Sequence, residues 1–403
     1  MKQLILIALL LFAWPVQAMN RDLHWIADAS VSTYTNIGGD KLDLTVTDAI
    51  AGERYLLFFN AVAGNTGGTP PYALSFSSTQ GTDIQLWVYS ITPKNNADFY
   101  SLAGAFEIGP LVDQNVTALI NVSDLMSGGG ATLDVKQAAI AMFLRDDLDG
   151  VKTDSFVSTT NTSFVALSTL TLEVPTAGDY YIYAVASSRK SVTTSNYSLR
   201  LTVDGTSVSD ASMRSPDVGD TLPWSALYKA TLAAGTKTIT VDGKVTSAGT
   251  LTAEEITIYA IRADRFPASW YSESRGATTI TATYPSFQTK LSQTLRSPTD
   301  DLLVLTSAPF ITTVGNTVYG LSQYDGTDMQ QSSATAVGGG DETAHSGLYP
   351  LTPTVGDRTV TIKAAKSGGL GITISDAAIL TLRLKDNATL YDYGGQVLGG
   401  EIY

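Results

Sequence analysis

Few side chains in this sequence are equipped for chemistry. The histidines are His24 and His345, and there is no cysteine. Zinc prefers nitrogen and sulfur ligands, so this set argues against a zinc centre. A Ser-His-Asp site would have to use one of those two imidazoles. His24 stands near the start of the chain, and neither histidine comes with a G-x-S-x-G elbow. Paired carboxylates for glycoside hydrolysis stay open, because separation in space is not written in a sequence. Taken together, these tests point away from an enzyme.

Carboxylates gather at one place. The stretch "RDDLDGVKTD" carries Asp146, Asp147, Asp149 and Asp154 around Gly150. Several carboxylates at a glycine turn can cage calcium, and a charge run can equally be a solvated loop. The EF-hand order is not met, since the glutamate at its twelfth place is missing. No other cofactor is expected.

A second candidate is a recurring segment. It reads "GDTLPWSALY" at 219–228, "GDETAHSGLY" at 340–349 and "ADFYSLAGAF" at 97–106. An aspartate holds one place in each: Asp98, Asp220 and Asp341. Four residues on, the copies diverge to Leu102, Trp224 and His345. In one reading the aspartate caps a turn and the later residue covers a sheet edge. In the other this is a binding loop whose tip varies on a fixed scaffold, with Trp224 exposed to stack on a sugar ring.

The elements that must hold these residues are strands. "AAIAMFLRDD" (138–147), "EITIYAIRAD" (255–264) and "AAILTLRLKD" (377–386) are three versions of one line. Their period of two marks half-buried strands, with Leu144, Ile261 and Leu384 facing their cores. The middle copy is apolar on both faces, which implies cover by a loop or a neighbour. Upstream, "GTKTITV" (235–241) answers "GDRTVTI" (356–362), each seven residues after a tyrosine, Tyr228 or Tyr349. Phe106 takes that place in the looser first copy. "YSLRLTVDG" (197–205) likewise answers "YGLSQYDG" (319–326), keeping the Asp-Gly turn. The fold class expected is all-β: three tandem jelly-roll-like β-sandwich domains at 19–150, 151–266 and 267–386. The absence of a Cys-Trp-Cys framework disfavours an immunoglobulin fold.

The line "SALYKATLAAGTKTITVDGKV" resembles the second half of small jelly-roll modules in viral and phage fibres and in secreted carbohydrate-binding or adhesive proteins. The resemblance covers each repeat in outline and is clearest in the second. It implies binding or assembly rather than catalysis.

The formal net charge is −13. Phosphate binding needs clustered Lys and Arg, so nucleic acid is not an expected partner. Residues 1–18, "MKQLILIALLLFAWPVQA", have the layout of a secretory signal peptide. With no further span-length apolar run, the expected location is secreted or at the cell surface. The segment 387–403 carries Leu390, Tyr391, Tyr393, Val397, Leu398, Ile402 and Tyr403 between Gly-Gly pairs. It either folds back on the third domain or adds to a sheet edge of another copy. The joining stretch 264–273 has Phe266, Trp270 and Tyr271 to wedge between the second and third domains.

The leading expectation is an exported, non-enzymatic adhesive or structural protein whose domains present loops along a rod. Its partners would be other copies of itself or surface glycans. The alternatives are a phage or viral virion component, and a polysaccharide-binding protein with weak hydrolase activity.

Overall fold

The computed structural model describes residues 24–35, 39–49, 55–65, 72–80, 83–91, 98–109, 114–123, 132–144, 149–192, 196–213, 221–266, 268–296, 301–312, 316–335, 341–354, 356–369, 371–383, 391–392 and 396–397. Residues 1–18 and most of the 387–403 segment lie outside these. Among the described residues no helix is long and apolar enough to cross a membrane.

The strands fall into three sets. The first comprises β1 (His24–Thr35), β2 (Gly39–Ala49), β3 (Tyr55–Asn65), β4 (Tyr72–Gln80), β5 (Asp83–Ile91), β6 (Phe99–Ile108), β7 (Gln114–Ser123) and β8 (Thr132–Leu144). The second comprises β9 (Gly150–Thr159), β10 (Val165–Val174), β11 (Gly178–Lys190), β12 (Tyr197–Val203), β13 (Thr206–Met213), β14 (Leu222–Leu232), β15 (Gly235–Val245) and β16 (Leu251–Arg262). The third comprises β17 (Ser269–Ser274), β18 (Thr278–Ile280), β19 (Gln288–Leu295), β20 (Leu302–Thr312), β21 (Thr317–Tyr324), β22 (Thr327–Thr335), β23 (Asp341–Leu351), β24 (Arg358–Lys366), β25 (Ile372–Ile374) and β26 (Ala377–Arg383).

One pairing order is written three times. The first set pairs as β1-β8-β3-β6 and β2-β7-β4-β5. The second pairs as β9-β16-β11-β14 and β10-β15-β12-β13, and the third as β17-β26-β20-β23 and β19-β24-β21-β22. Two four-stranded antiparallel sheets in this order make a jelly roll. In the third set β18 and β25 continue β17 and β26 past a break. The unbroken partners β8 and β16 have register shifts near the same place.

Local chemistry sets the turns. Asp204-Gly205 and Asp325-Gly326 have positive φ at both residues, 47° and 77° in one, 47° and 79° in the other. This is the two-residue hairpin turn that suits twisted strands, and Gly adopts it without a Cβ penalty. Each aspartate also accepts a backbone N–H from the neighbouring strand, Thr238 at 2.9 Å and Thr359 at 2.8 Å. A tyrosine anchor recurs as well: Tyr72 donates to Ala63 O at 2.9 Å and Tyr197 to Ser188 O at 3.1 Å.

Register confirms one landmark and corrects another. Phe106, Tyr228 and Tyr349 pair with Leu57, Ile182 and Val304, the same place in each set. In that frame Leu144 lies opposite Tyr55, so its counterparts are Arg262 and Arg383, opposite Tyr180 and Leu302. Leu144, Ile261 and Leu384 are therefore not equivalent. Buried Ile261 answers Phe143 and Leu382, and Leu384 lies outside the described residues. A one-residue slip exchanges the faces of a strand, and copies apolar on both faces hide such a slip in the sequence.

The sets close on one another in a cycle rather than forming a rod. β6 of the first meets β22 of the third through Phe99 and Ser333. β23 of the third meets β13 of the second through Met213 and Glu342. β14 of the second lies beside β5 of the first, and β6, β14 and β23 neighbour one another. Consequently the middle strands of the sheets that hold β6, β14 and β23 are covered on both faces. Every residue of β3 is buried, as is the run Ile256–Ile261 of β16. Phe266 is buried, and the Tyr271 ring lies 6.0 Å from Tyr181, whose hydroxyl shares a 2.7 Å hydrogen bond with Ser269. Because the seams are as buried as the cores, scanning calorimetry of the full chain should show a single unfolding transition. Three resolved transitions would mean that the sets unfold independently.

Candidate functional site

The structure buries the variable positions inside their own sandwiches, on the face opposite the seam residues that follow or precede them: Ser101, Ser225 and Ser346. Leu102, Trp224 and His345 pair with Ala61, Ala186 and Ala308, so they share one register place in β6, β14 and β23. Their exposures are 0%, 1% and 0%. The expectation of an exposed loop with Trp224 at its tip is thus corrected. These strands start earlier than the sequence suggests, and the alanine opposite leaves room for a large side chain beneath the second sheet of the same sandwich. The indole of Trp224 cannot stack on a sugar from this position.

Asp98 is also fully buried. Its Oδ1 accepts a 2.7 Å hydrogen bond from Thr335 Oγ1 of the third set, and next to it the Phe99 N–H donates to Ser333 Oγ at 3.0 Å. Asp98 therefore pins a seam rather than capping an open loop. Asp341 opens β23 with its backbone opposite Thr312, and its side chain lies outside the described residues, as does all of Asp220.

His345 has the outward form of a catalytic pair. Ser322 Oγ lies 2.8 Å from Nε2, Ser332 Oγ lies 2.8 Å from Nδ1, and the Phe310 ring sits 5.9 Å away. Its surroundings make it a poor base. Burial pushes its pKa down to about 3, whereas a general base works best near the operating pH. A neutral imidazole has one donor and one acceptor nitrogen, and two serine hydroxyls satisfy both. His24 opens β1, and its side chain lies outside the described residues.

The seams themselves carry hydroxyl chemistry. Ser101 Oγ donates to Ser346 O and accepts from Gln330 Nε2 at 2.8 Å. Ser307 Oγ donates to Ser225 O at 3.1 Å, and Thr257 Oγ1 donates to Ala105 O at 2.5 Å. Around them Phe58 meets Tyr259 edge-on at 4.5 Å, and Tyr259 meets Tyr183 at 5.2 Å. Burial raises the pKa of both phenols. Sequence reasoning missed these residues. The available signal was a small hydroxyl inside a strand that is apolar on both faces, as in "EITIYAI".

The aspartate run does not converge within the described residues. Asp149 accepts the Arg262 N–H at 2.6 Å and pairs with Arg265 at 3.3 Å. Asp154 pairs with Lys152 at 2.7 Å and accepts from Ser168 Oγ at 2.7 Å. Asp146 and Asp147 lie outside the described residues. Among the described residues there is no group of three or more His, Asp or Glu able to hold a metal ion. In the tail, the backbone of Tyr391–Asp392 pairs with Gln396–Val397. The side chains of Leu390, Tyr391, Tyr393, Val397, Leu398, Ile402 and Tyr403 are outside the described set.

The pairing order makes this chain an all-β, jelly-roll protein. No protein-family model matches it, and no curated protein matches it. Solved structures similar to it include an insecticidal delta-endotoxin of Bacillus thuringiensis, 10% identical with a TM-score of 0.21; the match covers 52% of this chain and 53% of that one. A triple jelly-roll fold from the turret assembly of an archaeal virus is 8% identical with a TM-score of 0.18, covering 91% of this chain and 92% of that one. A tandem carbohydrate-binding module pair from Paenibacillus barcinonensis is 10% identical with a TM-score of 0.18, covering 59% of this chain and 93% of that one. At these values no function carries over, and the fold assignment rests on the pairing order itself.

Two outcomes follow. Trp224→Ala should cost about 3–5 kcal/mol of stability in denaturant melts, as for a large side chain lost from a core; a change near zero would return Trp224 to the surface. Acid should also weaken the fold through His345. Between pH 6.5 and about 3 the unfolded chain binds a proton on this imidazole while the folded chain does not. Stability present above pH 6.5 is therefore lost as pH falls, by about 3 kcal/mol between pH 7 and pH 4. In His345→Leu that slope should flatten, and an unchanged slope would assign the acid sensitivity to other groups.

Proposed function

We propose that this chain is an exported, non-enzymatic structural protein that assembles with copies of itself through residues 387–403. One observation carries the structural reading. Three positions that differ in chemistry between the repeats, Leu102, Trp224 and His345, are buried inside their own sandwiches rather than displayed. Variation there fills a core, whereas variation for ligand choice belongs on exposed loops. The withdrawn, neutral imidazole of His345 supports a role without catalysis. Export is supported by the leader-like layout of residues 1–18.

Assembly is supported by the sequence of the tail. Burying one large apolar side chain is worth about 1.5–3 kcal/mol, so a run of them favours a covering partner. The net charge of −13 opposes non-specific association, so contact between copies calls for a specific element. A chain ending at Asp386 should appear as monomer in light scattering while melting like the full chain. If the shortened protein keeps the parent's mass distribution, assembly through the tail is refuted.

A second reading, glycan binding, draws on one surface feature. The Tyr284 ring is 45% exposed and stacks on Tyr319 at 4.3 Å, so an aromatic face is held towards solvent. On a glycan array the parent should give signals that Tyr284→Ala loses. Identical arrays for the two proteins would remove this reading.

A further inference from the structure

The third and first sets leave a crevice where their seam is incompletely filled. Its volume is about 290 Å³, near the lower end of the roughly 300–1,000 Å³ typical of small-molecule sites. One wall is Ala138 and Ala139 of β8. The other is Tyr349 and Leu351 of β23, with Met329 and Asp328 from β22.

The repeats show why the space is there. In register, Ala139 stands where β16 has Thr257. Thr257 is fully buried and reaches across its own seam to Ala105 O. An alanine in its place leaves volume unfilled.

The repeats also indicate what belongs there. Tyr228 is the counterpart of Tyr349, and over its ring lies the guanidinium of Arg275, 5.0 Å from the centroid. Arg275 comes from the third set and is paired with Glu273 at 2.8 Å and Asp376 at 3.7 Å. At that seam the chain supplies its own cation, between an aromatic face and carboxylates. The crevice has the matching aromatic, Tyr349, and a carboxylate, Asp328, but among the described residues that line it there is no lysine or arginine. Asp328 is exposed and accepts one hydrogen bond, from Gln323 Nε2 at 2.6 Å. A carboxylate has further acceptor sites beyond one such bond.

We propose that this crevice binds a small cationic amphiphile, with an ammonium, amidinium or guanidinium head at Asp328 and an apolar body between β8 and β23. The backbone at the rim is fixed for this. Gln137, next to Ala138, has a φ of 53°, and its Oε1 holds the Gln331 N–H at 2.8 Å, tying the two walls together. The site goes beyond the structural role proposed above and stands or falls without it.

Benzamidine is a suitable probe, with benzamide as its neutral counterpart, titrated into the full chain at neutral pH and followed by calorimetry and ligand-observed NMR. Benzamidine should bind at least about tenfold more tightly than benzamide, as a charge-assisted contact requires. Asp328→Asn should bring the two to parity. Ala138→Met should abolish binding by filling the space. Should that buried change impair folding in a thermal melt, Thr327→Trp at the exposed rim blocks the same entrance without touching a core. No saturable benzamidine binding at millimolar concentration would overturn the proposal, as would binding unaffected by Thr327→Trp.

Discussion

The molecule depends on removing the second face of a β-sheet from water. A lone jelly roll buries one face of each sheet and wets the other. Here the sheets β1-β8-β3-β6, β9-β16-β11-β14 and β17-β26-β20-β23 each lean on the next set. Residues such as Phe58, Tyr183 and Leu305, which would face solvent in a single sandwich, are instead buried. The burial that stabilises each sandwich thus also orients the three relative to one another.

Such a contact has to settle its polar groups. A backbone carbonyl or a hydroxyl taken out of water without a partner costs about 1–3 kcal/mol. Small serines and threonines meet this need because they carry a donor and acceptor on a short stem that fits between close strands. Ser101, Ser307 and Thr257 do so at different seams. Their bonds are directional, so they fix the docking angle where apolar packing alone would tolerate sliding.

Much of the architecture was readable in the sequence, because the features that build a strand are local. The Asp-Gly turns, the Tyr228 and Tyr349 landmarks and the alternation of "ILTLRL" each follow from a few adjacent residues. The seams were not readable, because they depend on which face meets which neighbour. Trp224 shows a related gap: a tryptophan between a proline and a serine reads as a loop tip until the opposite sheet of its own sandwich is placed over it. Asp98 is similar, since a buried aspartate and a turn-capping aspartate look alike without the distant Thr335. The doubly apolar "ITIYAI" did foreshadow cover by a neighbour, and its ambiguity of face also led to the misplaced Leu144.

Three separate sandwiches of one sequence, docked as a symmetric trimer, would change all of their contacts with every mutation at the interface. Joining the three in one polypeptide lifts that restriction. A leucine, a tryptophan and a histidine hold a single geometric place here, and each answers only to its own surroundings. The seams differ in the same way: one is closed by a threonine hydroxyl, one by an arginine, and one is left with room inside. Covalent linkage has turned repetition into division of labour.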